Sequence, residues 1–204
     1  MRPAPTAHVL RSAPWAAYVE QEGIRVSAST DDWDGRPEDL SELMTPLKVR
    51  VTNRSGRPVR ILYQDFALQP QGGQPYHPLP PAPLDAGPEK GLLGLRPLYA
   101  STGFHVAAAY KRLVPSLDAW PEPLPRDAAT TEKEYHDWSD GLPTREMRRR
   151  ALFEGVLEDQ GVTAGYLYFS RRARAGDEVV FRADLADAQD GEPVASIDIP
   201  FVVE

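Results

Sequence analysis

Residues 178–203, EVVFRADLADAQDGEPVASIDIPFVV, carry the clearest strand pattern in this chain. Every second residue from Val179 to Leu185 is apolar, and the same alternation returns from Ile197 to Val203. Alternation with a period of two is typical of a strand that buries one face against a core. The segment between the two stretches contains Asp, Gly and Pro, which are common turn residues. We therefore expect the chain to end in two β-strands joined by a turn.

The same alternation occurs in four other stretches, separated from one another by turn residues or by a long proline-rich region. A cluster of Asn, Ser, Gly and Pro at residues 53–58 predicts a hairpin between the strands that flank it. Three strands before the proline-rich region and three after it predict a mostly β fold, an immunoglobulin-like antiparallel β-sandwich. The four stretches are residues 23–29, 47–52, 59–63 and 162–169.

The prolines are unevenly spread, and 12 of the 21 lie between Pro75 and Pro143. Proline fixes φ and removes a backbone donor, so this region does not read as regular strand or helix. We predict a single β-sandwich domain at residues 18–204 that carries a proline-rich insertion at about 70–142. Residues 1–17 are interpreted as an N-terminal tether or a strand lead-in.

One short helix is predicted directly after the insertion. Thr144 has the side chain of an N-cap residue, and Pro143 precedes it. Glu146 and Arg150 lie four residues apart and predict a favourable ion pair on the helix surface. Gly155 is expected to end the helix after about two and a half turns.

Composition excludes several functional classes. The net charge of −7 argues against nucleic-acid binding and against electrostatic docking to an anionic membrane. The absence of cysteine excludes disulfides, thiolate metal sites and cysteine nucleophiles. The sequence contains no run of 18 apolar residues, so no transmembrane helix is predicted.

The sequence leaves two locations open. No apolar signal core follows residues 1–5, MRPAP, so the protein is expected to be cytoplasmic unless an export signal has been removed. If an export signal has been removed, we expect the protein in the periplasm or associated with the outer membrane.

One metal-binding hypothesis deserves a test, although no cofactor is predicted and calcium is the candidate. Residues 31–35, DDWDG, resemble the start of a calcium loop, but a strand precedes them and a calcium loop needs a helix there. An ordinary acidic turn is therefore favoured. Residues 134–138, EYHDW, offer further ligands. The candidate metal ligands are Asp31, Asp32, Asp34, His136 and Asp137.

Aromatic and basic residues supply the candidate binding surface. Aromatic side chains give a large contact area at low entropic cost, and four lie in the insertion. Basic runs at residues 148–150 and 171–174 are candidates for a positive patch on an acidic protein. A solvated helix face and a strand-end turn are the simpler interpretation of those runs. The candidate binding residues are Tyr76, Trp120, Tyr135, Trp138, Arg148 and Arg149.

Two blocks of sequence resemble a known group of proteins. The first is TPLKVRVTN at residues 45–53 with DFAL at 65–68; the second is LPTREM at 142–147 with ALFEGVL at 151–157 and GYLYF at 165–169. They resemble uncharacterised bacterial proteins, many of them predicted lipoproteins of myxobacteria and their relatives. They are more loosely similar to immunoglobulin-like extracytoplasmic domains of unknown function. The resemblance implies a location in the cell envelope and a non-catalytic domain.

These observations lead to one functional hypothesis and two alternatives. We expect a non-enzymatic immunoglobulin-like binding or scaffolding module of the bacterial cell envelope that recognises a protein or glycan through its insertion. Catalytic motifs such as a nucleophile elbow or a Walker loop do not occur in the sequence. One alternative is a calcium- or zinc-dependent binding protein or hydrolase built on the acidic turn and His136. The other is a structural subunit of a larger assembly, and the sequence predicts no oligomeric state.

Overall fold

The computed structural model describes residues 1–5, 7–10, 13–30, 33–79, 101–106, 142–170 and 175–204. This part of the chain is mostly β, with two short α-helices and a 3₁₀ turn at Tyr63–Asp65. The helices are α1 (Leu40–Leu43) and α2 (Arg145–Arg150). The strands are β1 (Arg2–Pro3), β2 (Val9–Leu10), β3 (Ala13–Gln21), β4 (Ile24–Ser29), β5 (Met44–Asn53), β6 (Val59–Ile61), β7 (Phe66–Pro70), β8 (Thr102–Val106), β9 (Gly155–Ser170), β10 (Glu178–Asp187) and β11 (Pro193–Val202).

All of these strands belong to one antiparallel sheet. The main path through it runs β1-β11-β10-β6-β9-β5-β4-β3-β2, while β7 pairs with β10 and β8 pairs with β9. The two ends of this path meet, because β3 lies against β11 and β1. The sheet is therefore nearly closed and barrel-like. A mostly β, antiparallel fold is confirmed, and the finer immunoglobulin-like arrangement stays a prediction.

The sheet encloses one large hydrophobic core, as the alternation predicts. Val49, Phe181 and Ile199 come from three separate strands and are all fully buried in the same cluster. Phe66 stacks on Phe181, with ring centroids 6.0 Å apart and nearly parallel planes. Burial of such side chains contributes roughly 1.5–3 kcal/mol each, which makes this core the main source of stability.

The predicted hairpin at residues 53–58 is wrong. β5 pairs with β4 and with residues 162–170 of β9, whereas β6 pairs with residues 155–157 of β9 and with β10. The chain therefore continues along the same neighbour instead of turning back. The turn residues at 53–58 predicted that the chain reverses direction there. However, β9 is 16 residues long and therefore pairs with both β5 and β6.

Both faces of β9 are buried at residues 165–169, which the alternation of its residues could not reveal. Leu167 and Phe169 face the main core, whereas Tyr166 and Tyr168 belong to a second hydrophobic cluster. Residues of α1, α2 and the segment after β7 cover these tyrosines. The buried members of this second cluster are Leu40, Met44, Leu79, Met147, Ala151, Tyr166 and Tyr168.

The helix after the insertion is confirmed at its start and differs at its end. The hydroxyl of Thr144 accepts a hydrogen bond from the backbone N–H of Met147 at 3.2 Å. Glu146 and Arg150 form the expected ion pair at 2.8 Å. The helix ends at Arg150, well before Gly155, because the next residues bind β9: the N–H of Leu152 donates to Tyr166 at 2.8 Å.

Where the structure describes them, residues 1–17 pair with the sheet. β1 pairs with the C-terminal strand β11, and Ala16 and Ala17 pair with β4. Most of the insertion, residues 80–100 and 107–141, lies outside the described residues. Its strand among the described residues, β8, pairs with β9. No helix within the described ranges is long and apolar enough to cross a lipid bilayer.

Candidate functional site

The candidate binding residues do not form one surface in the part of the chain that the structure describes. Tyr76 is 5% exposed, and its ring packs edge-on against Phe169 with centroids 6.1 Å apart. It therefore belongs to the core. Arg148 is half-buried and Arg149 is exposed on α2. Trp120, Tyr135 and Trp138 lie outside the described residues, so their roles stay predictions.

Of the candidate metal ligands, only Asp34 lies in the described ranges. Its carboxylate pairs with the guanidinium of Arg150. Hydrogen bonding from Arg150, followed by its positive charge, holds the pKa of Asp34 below its ordinary value of 3.8. The described residues contain no group of three His, Asp or Glu side chains placed to hold a metal ion. Asp31, Asp32, His136 and Asp137 lie outside those ranges.

The acidic turn instead packs against the second hydrophobic cluster. The ring of Trp33 meets Tyr166 and Tyr168 edge-on, at centroid distances of 5.1 and 6.0 Å. The guanidinium carbon of Arg150 lies 5.4 Å from the centre of the Trp33 ring. The indole N–H donates to the carbonyl of Pro37 at 2.8 Å. These contacts attach the turn to β9 and α2, which is a structural role.

A groove on the outer face of β3, β4 and β5 is the better candidate site. We call it the arginine groove; its volume is about 330 Å³. That volume is at the lower end of the range for small-molecule pockets, roughly 300–1,000 Å³. Gly23 lines it at the β3–β4 turn, Arg54 lines it just after β5, and Val162 belongs to β9. Its other lining residues are Tyr18 and Glu20 on β3, Arg25 and Ser27 on β4, and Arg50 and Thr52 on β5.

Strand register brings these side chains together. Tyr18 is paired with Ser27, and Ser27 with Arg50; in the next row Glu20 is paired with Arg25. Cβ atoms alternate between the faces of a sheet, so a row across paired positions shares one face. The intervening positions, such as Val26 and Val51, are fully buried on the core side. The groove is thus the polar complement of the core pattern.

A tight turn fixes one end of the groove. Glu22 and Gly23 have φ values of 51° and 77°, as a two-residue type I′ hairpin requires. The N–H of Arg54 donates to the carbonyl of Gly23 at 2.8 Å. A Cβ on Gly23 would lie 2.6 Å from the carbonyl oxygen of Arg54. Glycine is therefore needed for both the turn and the close approach of Arg54.

A small network holds the β3–β4 side of the groove. Arg25 donates through Nε to Oε2 of Glu20 at 2.8 Å, and its Nη2 lies 2.6 Å from the same oxygen. The guanidinium carbon of Arg25 also lies 5.2 Å from the ring centre of Tyr18. The ring of Tyr18 also lies near the ring of His8, and the two ring centroids are 6.2 Å apart. These contacts restrict the rotamers of Arg25 and Tyr18 before any ligand arrives.

The β5 side of the groove carries positive charge without a matching carboxylate. Arg50 and Arg54 are both exposed, and no side-chain hydrogen bond or ion pair involves either guanidinium among the described residues. Guanidinium groups bind carboxylates and phosphates in a two-pronged geometry. Because Glu20 offsets one of the three arginines, the groove has an excess of two positive charges. It can therefore bind an anion on a protein whose net charge is −7.

Sequence reasoning missed this site because its arginines are isolated in the chain. The predicted basic patch rested on runs of consecutive basic residues, and Arg25, Arg50 and Arg54 belong to no such run. The available signal was the polar half of each alternating stretch, where Arg25 and Ser27 occur on one strand and Arg50 and Thr52 on another. That signal becomes a site only when the register of β4 against β5 is known.

Comparison with known proteins adds little to this picture. No protein family matches the sequence, and no curated protein matches it either. A solved structure from Bacillus subtilis, described as a "putative lipoprotein", aligns with 91% of this chain at 12% identity and a TM-score of 0.39. The chain spans 38% of the length of that protein. A TM-score of this size supports no inference about function.

Proposed function

We propose that this protein is a non-enzymatic, immunoglobulin-like binding module of the bacterial cell envelope that recognises an anionic group on a protein or glycan partner. The observation that carries the proposal is the convergence of Arg25, Arg50 and Arg54 on one groove of an acidic protein. Clustered charge of one sign in a concave site concentrates ligands of the opposite sign and accelerates their binding.

The organisation of the groove favours binding over catalysis. Its titratable side chains are arginines, one glutamate already paired with Arg25, and one tyrosine. Arginine stays protonated at any physiological pH and is a poor acid or base. A general acid or base needs a group whose pKa lies near the working pH, such as histidine. The described lining of the groove contains no histidine.

The insertion is expected to contribute to recognition beside the groove. Its described strand β8 pairs with β9, and Thr102 lies opposite Val162. Val162 also lines the groove. The chain of the insertion therefore passes next to the site, which supports the hypothesis that aromatic residues of the insertion extend the binding surface.

Binding of anionic polymers tests the proposal. A panel of acidic polysaccharides and acidic peptides, with neutral polysaccharides for comparison, is measured by surface plasmon resonance at low and high salt. We expect binding of an anionic probe that weakens with salt and falls at least about tenfold when Arg50→Gln and Arg54→Gln are combined. Retention of full binding by this double variant would rule out the groove.

Two arginines of α2 supply matched controls. Arg145→Gln removes one exposed charge from the first residue of the helix, and we expect unchanged binding. Arg149→Gln tests the alternative basic patch predicted from the sequence. If Arg149→Gln abolishes binding while the groove variant does not, the helix, and not the groove, is the site.

A further inference from the structure

We infer that the arginine groove takes a carboxylate-bearing sugar, a uronic acid unit of an acidic glycan. This inference rests on the proposed function, because it assigns a ligand class to the same groove. It goes further by using the side chains between the arginines, which a simple anion site does not need.

The anionic end of the ligand would meet Arg50 and Arg54. Both lie on the β5 side, and Arg54 is held at the β3–β4 turn by its backbone bond to Gly23 at 2.8 Å. Two guanidinium groups that form no ion pair with a carboxylate of the described residues are a natural receptor for one carboxylate. The volume of about 330 Å³ suits one sugar residue of a longer chain.

The remaining polar groups suit hydroxyls. Both contacts of Glu20 with Arg25 use Oε2, so Oε1 takes part in neither. A carboxylate oxygen in an anion-binding groove repels a second anion, but it accepts hydrogen bonds from hydroxyl groups. Ser27 and Thr52 add hydroxyls that both donate and accept. A sugar ring that carries one carboxylate and several hydroxyls matches this lining, in which arginines lie beside hydrogen-bond acceptors.

Other anions match the groove less well. Inorganic phosphate engages the arginines and places negative charge near Glu20 without offering several donors. An acidic peptide separates its carboxylate from the next donor by apolar methylene groups, so Glu20 and Ser27 gain fewer partners. The groove lies on the exposed side of three strands, so one unit of a longer polymer can reach it from solvent.

Calorimetric titration of the full chain tests the ligand class. The probes are trigalacturonate, its neutral methyl ester, triglutamate and inorganic phosphate. We expect trigalacturonate to bind at least about tenfold more tightly than each of the other three. The combination of Arg50→Gln with Arg54→Gln should remove that binding, and Arg145→Gln should leave it unchanged.

Two further variants report on the hydroxyl contacts. Ser27→Ala and Thr52→Val should each weaken trigalacturonate several-fold, while Ser27→Ala leaves any weak phosphate binding unaltered. Equal groove-dependent binding of triglutamate or phosphate would overturn the sugar assignment and leave the anion-binding function intact. Absence of groove-dependent binding for every anionic probe would overturn both. Circular dichroism of each variant confirms that the fold is retained.

Discussion

Replacement of Asn53 by alanine tests how the sheet passes from β5 to β6. Asn53 is fully buried, and its side-chain nitrogen lies 2.7 Å from the carbonyl of Arg57 and 3.0 Å from those of Leu157 and Glu158. Its Oδ1 accepts from the N–H and the hydroxyl of Ser55, at 3.0 and 2.7 Å. One side chain thus connects the turn after β5 to the first residues of β9.

The cost of Asn53→Ala follows from those bonds. A typical hydrogen bond contributes about 1 kcal/mol net, and a buried group left without a partner costs about 1–3 kcal/mol. The side chain supplies two N–H donors and one acceptor oxygen, so we expect a loss of roughly 3 kcal/mol. Marginally stable domains have about 5–15 kcal/mol in total, so the loss is large.

Urea unfolding at pH 7, followed by tryptophan fluorescence, measures the change in the free energy of unfolding. Ser55→Ala is the matched control, because it removes the hydroxyl at 2.7 Å and keeps the other contacts of Asn53. Its cost should stay near 1 kcal/mol. Asn53→Asp should be worse than Asn53→Ala, since its carboxylate would face three carbonyl oxygens. A loss below about 1 kcal/mol for Asn53→Ala would refute this account of the crossover.

Three further predictions concern the groove and the acidic turn. Gly23→Ala should destabilise the protein by more than about 1 kcal/mol in the same unfolding assay and weaken ligand binding, because φ is positive and the new Cβ meets Arg54; unchanged stability would contradict the turn geometry. Arg150→Gln should raise the pKa of Asp34 toward 3.8 in a carbon-detected NMR titration; since the folded pKa is depressed, the stabilising effect of the pair is present above that value and is lost as the pH falls through the folded pKa. Calcium should leave the melting temperature unchanged, because Asp34 is already paired; a calcium-dependent rise, with metal found by elemental analysis, would restore the metal hypothesis.

Local sequence patterns predicted those features that depend on neighbouring residues alone. Phe181 and Ile199 alternate with polar residues, and each faces the core because side chains of a strand point to opposite faces in turn. Thr144 caps α2 because its hydroxyl needs only the backbone three residues ahead. Such interactions are short in sequence, so composition and spacing suffice to identify them.

Errors arose where a distant segment changed the outcome. Gly155 does not end α2. The helix ends at Arg150, because the backbone N–H of Leu152 donates to the carbonyl of Tyr166 on β9. Gly155 has a different task at the start of β9, where a Cβ would lie 2.0 Å from the carbonyl oxygen of His105. The sequence predicted Trp33 to be part of an exposed turn, whereas its ring packs on Tyr166. None of these contacts leaves a signal within a window of neighbouring residues.

The alternating apolar residues are sufficient to establish a mostly β chain around a main core, because hydrophobic burial acts on each strand separately. The arginine groove has another origin. Arg25 and Arg50 lie 25 positions apart and share a site because β4 pairs with β5 in one register, and a shift by one residue would move every side chain to the opposite face. Long-range pairing therefore places the charges that the proposed function requires.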